Sequence, residues 1–249
     1  MIVLLTNDDG FESSGLLCIK NYLQKNSNIK KVYVFSPNED RSAQGHAVTM
    51  GLPIEYSCKG EDFYAVQGTT VDCVLFGLYM MPVIPDLVVS GINLGANIGL
   101  DSNYSSTLSG ALEGVMNNIP SISLSQFYLS EKKSIEFHIQ NKIFEDFFSL
   151  YLKHTSLFND IALNVNFPCF QPKGLKIVTD NMYKTKAKVD LYEEDEYFIF
   201  EKNSFNYDSR ELHRHPMYNG FVTVTPVKPR AYSSEYDIKN IEYLVSMIR

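Results

Sequence analysis

The sequence predicts an α/β fold in which a doubly wound, mainly parallel, Rossmann-like sheet is followed by a β-richer C-terminal extension. Short segments that are apolar throughout recur along the first two thirds of the chain, as expected for strands buried on both faces. Helical segments separate them, and this alternation is typical of a parallel sheet with helices on both sides. We therefore expect the 249 residues to form one domain, with a core over 1–170 and an extension, ending in a helix, over about 171–249.

Each predicted element of the core rests on its own local pattern. Ile2–Thr6 is an apolar, β-branched run that ends in a polar turn, and Lys31–Phe35 is a second strand of this kind. Thr69 or Thr70 is expected to cap a helix that continues to Met80, with Asp72 favourable near its N-terminus. The other elements are a helix around Leu16–Leu23, shorter strands over Ala47–Ser57 and Asp62–Val66, a strand over Leu87–Ser90, a helix near Thr107–Asn117 and a strand over Ser121–Leu124.

A long amphipathic helix is predicted over Ser134–Leu152, because Ile139, Ile143, Phe147 and Leu150 would share one side of it. The character of the chain then changes, and predicted strands follow one another. These strands are Ala162–Val165, Leu175–Val178, Tyr197–Phe200 and Phe221–Thr225, and a final helix is expected over Ile238–Ile248.

The net charge of −7 at pH 7 argues against a general nucleic-acid binder or a binder of anionic membranes, because both need a basic face. An anionic ligand would need a local positive group, such as a metal ion, a helix N-terminus or an arginine. The cysteines lie far apart and are expected to be reduced and buried; they are Cys18, Cys58, Cys73 and Cys169. Because there is no signal-peptide pattern and no membrane-length apolar stretch, a cytoplasmic location is expected.

Three polar loops follow three of the predicted parallel strands, at 7–10, 36–46 and 91–107. In open α/β sheets, ligands bind beyond the carboxyl ends of the strands. We therefore expect the three loops to converge at one edge of the sheet and to form the functional site.

The first loop carries the adjacent carboxylates of Asp8 and Asp9. Like charges placed side by side raise each other's pKa, and a divalent cation such as Mg²⁺ or Mn²⁺ removes that cost. Asn-Asp-Asp-Gly is also good turn-forming sequence, so a solvated turn is the alternative interpretation.

The third loop leads into a helix at Ser105, Ser106 and Thr107. Hydroxyls and free backbone N–H groups at a helix N-terminus form an anion site, although the same residues also suit an ordinary helix cap. The loop is neither a Walker loop nor a G-x-G-x-x-G turn.

Other polar residues are assigned more simply. Arg41 in the second loop is interpreted as a phosphate or carboxylate partner. His46 is more simply structural than chemical, and it is a weak candidate for a proton donor. His213 and His215 have no metal-ligand pattern beside them, so we expect both on the surface.

Several motifs resemble those of the survival protein E (SurE) family of nucleotidases. They are LLTNDDG at 4–10, RSAQGHAVT at 41–49, PDLVVSGINLGANIG at 85–99 and YSSTLSGALEG at 104–114, with looser agreement in GTTVDC at 68–73 and LNVNFP at 163–168. The resemblance covers about two thirds of the chain, but the region 185–216 matches the family pattern poorly.

The resemblance implies a set of site residues. The catalytic ones would be Asp8, Asp9 and Asn93, which together with Ser42 would hold one divalent metal ion per subunit, Mg²⁺ or Mn²⁺. The substrate-binding ones would be Asn97, Ser105, Ser106 and Thr107. The resemblance also implies hydrolysis of nucleoside 5′- and 3′-monophosphates, possible exopolyphosphatase activity, and a homodimer or homotetramer built through the C-terminal part.

Three residues depart from the family pattern. Thr70 stands where proline is usual, which we expect to alter only the start of a helix. Ser106 replaces a usual glycine and adds a hydroxyl beside the expected phosphate. Glu39 stands where the family often has arginine.

The expected reaction is direct attack of water on phosphorus, with no covalent intermediate. A receiver-type signalling module also holds Mg²⁺ with an acidic pair, but we find neither its acceptor aspartate nor its lysine. A phosphatase with an aspartyl nucleophile needs Asp-x-Asp, whereas the two aspartates are adjacent in this chain. A non-catalytic nucleotide-binding protein is the remaining alternative.

Overall fold

The structure is a computed structural model, and it describes residues 1–128, 136–179, 189–192, 197–200 and 215–229. Its strands are β1 (Ile2–Thr6), β2 (Lys31–Pro37), β3 (Tyr56–Gly60), β4 (Phe63–Val66), β5 (Leu87–Leu94), β6 (Ser121–Gln126), β7 (Ala162–Phe167), β8 (Gly174–Ile177), β9 (Val189–Tyr192), β10 (Tyr197–Phe200) and β11 (Phe221–Val227). The α-helices are α1 (Ser14–Lys25), α2 (Thr70–Met80), α3 (Ser106–Met116) and α4 (Lys142–Lys153), and short 3-10 helices cover Gly99–Tyr104, Thr155–Phe158 and Pro216–Asn219.

Nine strands form one sheet in the order β3-β4-β2-β1-β5-β6-β7-β11-β8. All strands from β4 to β7 in that order are parallel, whereas β3 and β11 run antiparallel to β4 and β7. The mainly parallel sheet predicted from the sequence is thus confirmed. The chain builds outward in opposite directions from β1 and β5, so the loops after these two strands flank the switch point where such folds bind ligands.

Alternate residues of each central strand face opposite sides of the sheet. Val3 and Leu5 of β1 join the core cluster that contains the buried residues of α1 and α4, whereas Leu4 joins the cluster that contains those of α2. The sheet is therefore covered on both faces, as a doubly wound fold requires. Because both faces are buried, the central strands carry apolar side chains at successive positions.

Helix α3 lies close against the sheet because two of its residues are glycines. A Cβ on Gly110 would come within 2.9 Å of Ser90 Oγ on β5, and one on Gly114 within 2.2 Å of Ser121 Oγ on β6. Any larger residue at either position would push α3, and the N-terminal turn that it carries, away from β5 and β6.

Most sequence-based boundaries agree with the structure, and α2 begins as expected. The Thr69 hydroxyl accepts a hydrogen bond from the Asp72 backbone N–H, and the Asp72 carboxylate accepts one from the Thr69 backbone N–H. The two residues therefore form a capping box. The strand over Ala47–Ser57 was wrong up to residue 55, because this segment has no partner strand; Met50 and Leu52 are exposed, and Thr49 is bound to Asp72.

The long helix over Ser134–Leu152 was also wrong in its start and in its buried side. The helix begins at Lys142, because Asn141 accepts from Phe144 N at 2.9 Å and caps it. Phe144 and Phe148 are buried and Leu150 is exposed. Two adjacent stripes of this helix have the same period, so periodicity alone does not select the one that packs.

Two further expectations fail on burial. His215 is buried rather than on the surface: its Nδ1 accepts from Met217 N, and burial lowers the pKa of the ring to about 4. The cysteines are all free thiols, but Cys58 is exposed and Cys18 is only half-buried. His213 and the expected helix over 238–248 lie outside the described residues. Within the described ranges, no helix is both long and apolar enough to cross a bilayer.

Candidate active site

The loop after β1 and the start of α3 meet at Asp8. Thr107 donates its hydroxyl to Asp8 Oδ1 at 2.6 Å, and both residues are buried. Ninety-nine positions separate them in the sequence. This contact therefore joins two of the loops that the sequence predicts to converge.

The environment of Asp8 is unfavourable for a bare carboxylate. The pKa of Asp8 is raised to about 6, mainly by burial and to a smaller extent by the nearby Asp40 charge. Hydrogen bonds from the hydroxyl and the backbone N–H of Thr107 act in the opposite direction. A positive charge beside Asp8 would therefore be strongly favoured.

Asp9 follows β1 and Asn93 lies near the end of β5, the two strands at the switch point. Asp9 Oδ2 accepts from Leu94 N at 3.3 Å, which places it beside Asn93, whose Nδ2 donates to Gly95 O at 2.8 Å. The register between β5 and β6 shifts between Ser90 and Asn93. Gly91 lies in this irregularity at φ 132°, where a Cβ would be 2.3 Å from Leu124 O, so only glycine fits.

The second loop reaches the same place through its backbone. Arg41 N donates to Asp8 O at 2.8 Å. The next residue, Ser42, is exposed and donates its hydroxyl to Asp40 Oδ1 at 2.5 Å. The Arg41 guanidinium pairs with Glu39 at 2.7 Å, so the carboxylate partner expected for Arg41 is supplied by the protein itself.

Ser106 fastens the second loop to the N-terminal turn of α3. Its hydroxyl donates to Arg41 O and accepts from Gln44 N, both at 3.0 Å. Farther along α3, His46 Nε2 lies 2.9 Å from Glu113 Oε2. Glu113 is seven residues beyond Ser106, a rise of about 10 Å along the helix, so this contact places His46 away from the first turn.

Asn97 is placed differently from the other candidates. Its described hydrogen bonds go to Ser125 of β6 and to Asn164 and Asn166 of β7. Ser105, by contrast, caps α3 by accepting from Leu108 N at 3.0 Å. The structure thus brings Asp8, Asp9, Asn93, Ser42 and the start of α3 together at the carboxyl ends of β1 and β5. Asn97 is instead bound to the neighbouring strands β6 and β7.

Comparisons with known proteins identify the family of this chain. The family model described as "Survival protein SurE" matches residues 3–188. The chain belongs to the SurE family. Among its relatives, the "5'-nucleotidase SurE" of Campylobacter lari is 33% identical, covering 90% of this chain and 91% of that protein. The protein of the same name from Helicobacter hepaticus is 34% identical, covering 91% and 92%.

A solved structure shows the same fold. The crystal structure of the SurE protein from Aquifex aeolicus matches with a TM-score of 0.78 and 32% identity, covering 98% of this chain and 100% of that one. The α/β arrangement predicted from the sequence is therefore found in an experimental structure of the same family.

The residues that a SurE metal site would use offer oxygen atoms only. They are two carboxylates, the Ser42 hydroxyl and the amide oxygen of Asn93, whose nitrogen is already engaged with Gly95. Hard oxygen donors of this kind suit Mg²⁺ or Mn²⁺. The described part of the chain contains no group of three or more His, Cys, Asp or Glu side chains that could hold a metal ion.

Sequence reasoning missed the residues that hold the first loop in shape. Asn7 is buried and accepts from Ser36 Oγ at 2.5 Å, while its Nδ2 donates to Gly10 O and Ser13 Oγ. Thr70 donates its hydroxyl to Asn7 O at 3.1 Å, so the replacement of proline at this position does more than alter a helix start. A polar residue directly after a buried strand was the available signal for Asn7.

Proposed function

We propose that this protein is a 5′-nucleotidase that hydrolyses nucleoside monophosphates to nucleoside and phosphate. The observation that carries the proposal is the contact between Asp8 and Thr107, because it places an acidic pair directly before the N-terminus of α3. An acidic pair suits a cation and a helix N-terminus suits an anion, and a phosphomonoester hydrolase needs both at one point. The relatives that share about a third of the sequence are named 5′-nucleotidases.

The proposed cofactor is one Mg²⁺ or Mn²⁺ ion per subunit, held by Asp8, Asp9, Ser42 and Asn93. The raised pKa of Asp8 supports this, because a buried carboxylate is stabilised by a neighbouring cation. When bound, the ion would act as a Lewis acid and neutralise phosphate charge.

The protein's own groups then have distinct tasks. Thr107 is committed to Asp8 through its hydroxyl, so its contribution is to orient that carboxylate. The positive end of α3 would favour the phosphate, and the Ser106 hydroxyl binds this end of the helix to the second loop. Ser105 keeps that turn formed by capping it. Water attacks phosphorus directly, because no Asp-x-Asp nucleophile is present in the first loop.

The proposal extends to 3′-monophosphates, to polyphosphate ends and to a homodimer or homotetramer, each of which the resemblance to the family implies. These extensions are separable. A panel of 5′- and 3′-mononucleotides and polyphosphate measures the first two, and light scattering of the purified protein measures the third. A monomer at every concentration would contradict the oligomer.

The central experiment measures phosphate release with Mg²⁺, with Mn²⁺ and with EDTA. We expect release from mononucleotides that EDTA abolishes, and that Asp8→Asn and Asp9→Asn each remove almost completely. Glu12→Gln is the matched control, because it removes an exposed carboxylate close by. Full activity of both aspartate variants at low metal concentration would refute the metal assignment. Tight nucleotide binding without release would favour a non-catalytic nucleotide-binding protein.

A further inference from the structure

Strand β7 carries asparagines at alternate positions in the interior of the protein. Asn164 and Asn166 are 2% and 0% exposed, and they face the same side of the sheet. In register beside them on β6 lie Ser123 and Ser125, both fully buried. Buried polar side chains are costly unless they are hydrogen-bonded, so this polar face needs a reason.

The reason is that the loop between β5 and α3 covers this face, and its peptide groups need partners. Asn97 N donates to Asn166 Oδ1 at 2.8 Å. Asn97 O accepts from Asn164 Nδ2 at 2.7 Å and from Asn166 Nδ2 at 3.1 Å. Both backbone groups of one loop residue are therefore bound by side chains of a strand more than sixty positions away.

The side chain of Asn97 is held as well. Its Nδ2 donates to Ser125 Oγ at 2.8 Å. An amide nitrogen carries two hydrogens, and Ser125 accepts one of them. The second is the one N–H of Asn97 that no residue within the described ranges accepts. This leaves Asn97 a single donor for a ligand, in an orientation that Ser125 sets.

We propose that Asn164, Asn166 and Ser125 are positioning residues, here named the Asn97 clamp, which hold Asn97 so that its second amide hydrogen donates to the substrate phosphate. The inference rests on the proposed nucleotidase function. Asn97 lies between Asn93 and the start of α3 at Ser105, so the clamp also sets the path of the loop between two parts of the site.

The first test is the steady-state kinetics of Asn164→Ala on a nucleoside 5′-monophosphate. Loss of the single Asn97 contact to phosphate should lower kcat/KM about tenfold, mainly through KM, because one hydrogen bond to a charged group has about that effect. Thr223→Val is the matched control. Thr223 is buried and in register with Asn166, but its hydroxyl has no hydrogen-bond partner among the described residues.

The second test distinguishes positioning from a general structural role. In an Asn97→Ala background, Asn164→Ala should change kcat/KM less than about twofold, because the contact it positions is already gone. An equal loss in both backgrounds would overturn the inference. So would a lowered Tm with unchanged kcat/KM.

A binding measurement keeps the two proposals separate. The dissociation constant of inorganic phosphate, measured by calorimetry, should rise about tenfold in Asn164→Ala and stay unchanged in Thr223→Val. If the wild-type protein releases phosphate from no mononucleotide, the proposed function fails, whereas the phosphate affinities still decide the clamp. If Asn164→Ala does not fold, Ser125→Ala removes one hydroxyl of the clamp and must weaken phosphate binding in the same way.

Discussion

Replacing Asp8 with asparagine should stabilise the metal-free protein at neutral pH while it abolishes activity. Asp8 is 3% exposed, and burial raises its pKa from an ordinary 3.8 to about 6. Asparagine has the same shape as aspartate and carries no charge, and its amide oxygen can still accept a hydrogen bond from the Thr107 hydroxyl.

The size and sign of the effect follow from the two pKa values. The folded protein holds the Asp8 proton more tightly than the unfolded chain does, so ionisation costs folding free energy as pH rises from 3.8 to 6. A difference of about two pKa units corresponds to about 3 kcal/mol above pH 7. Well below pH 3.8 both states are protonated and the cost is absent. Asp8→Asn should therefore gain up to about 3 kcal/mol at pH 7 and less than about 1 kcal/mol at pH 4.

Urea unfolding of the EDTA-treated wild type and variant, at several pH values between 4 and 8, measures this difference. Glu12→Gln tests whether removing any negative charge from this acidic protein has the same effect, since Glu12 is exposed. Added Mg²⁺ should stabilise the wild type and reverse the order of the two proteins. A variant that is less stable than wild type at pH 7 in EDTA, or a difference that does not vary with pH, would refute the reasoning.

Three further predictions concern the start of α3. Thr107→Val removes the hydrogen-bond donor to Asp8. It should raise the activation free energy that corresponds to kcat/KM by on the order of 1–3 kcal/mol, and it should raise the pKa of Asp8 further. A pH–rate profile identical to that of the wild type would contradict this. Ser106→Gly keeps the backbone N–H but frees the Arg41 carbonyl, so we expect a folded, active enzyme whose KM is raised by less than about tenfold. Ser105→Ala loses the cap and should cost about 1 kcal/mol in urea unfolding.

The expected place of the site follows from the order of the elements along the chain. Asp8 and Asp9 follow β1, and Asn93 lies at the carboxyl end of β5. Parallel strands bring their carboxyl ends to one edge, so residues far apart in sequence meet there whatever their other contacts are. Family motifs then add the likeness to SurE, which the comparisons confirm.

Roles within the site depended on contacts that no local pattern reveals. Thr107 was expected to bind substrate, and its direct contact with phosphate stays a prediction, but its hydroxyl is bound to Asp8. Ser106 connects the second loop to the start of α3, and His46 pairs with Glu113 on the third turn of α3. A hydroxyl at a helix N-terminus has several possible partners, and only the packed structure selects one.

The α/β class, the parallel core and the end of the sheet that carries the acidic pair can be predicted from the sequence, because the hydrophobic periods and the order of elements along the chain are visible in it. The buried side of α4, the burial of His215 and the role of Asn164 and Asn166 on β7 became visible only in the folded protein. Two stripes on one helix look alike until a partner surface exists. Likewise, a buried asparagine has no evident purpose until a loop more than sixty residues earlier in the chain brings peptide groups to it.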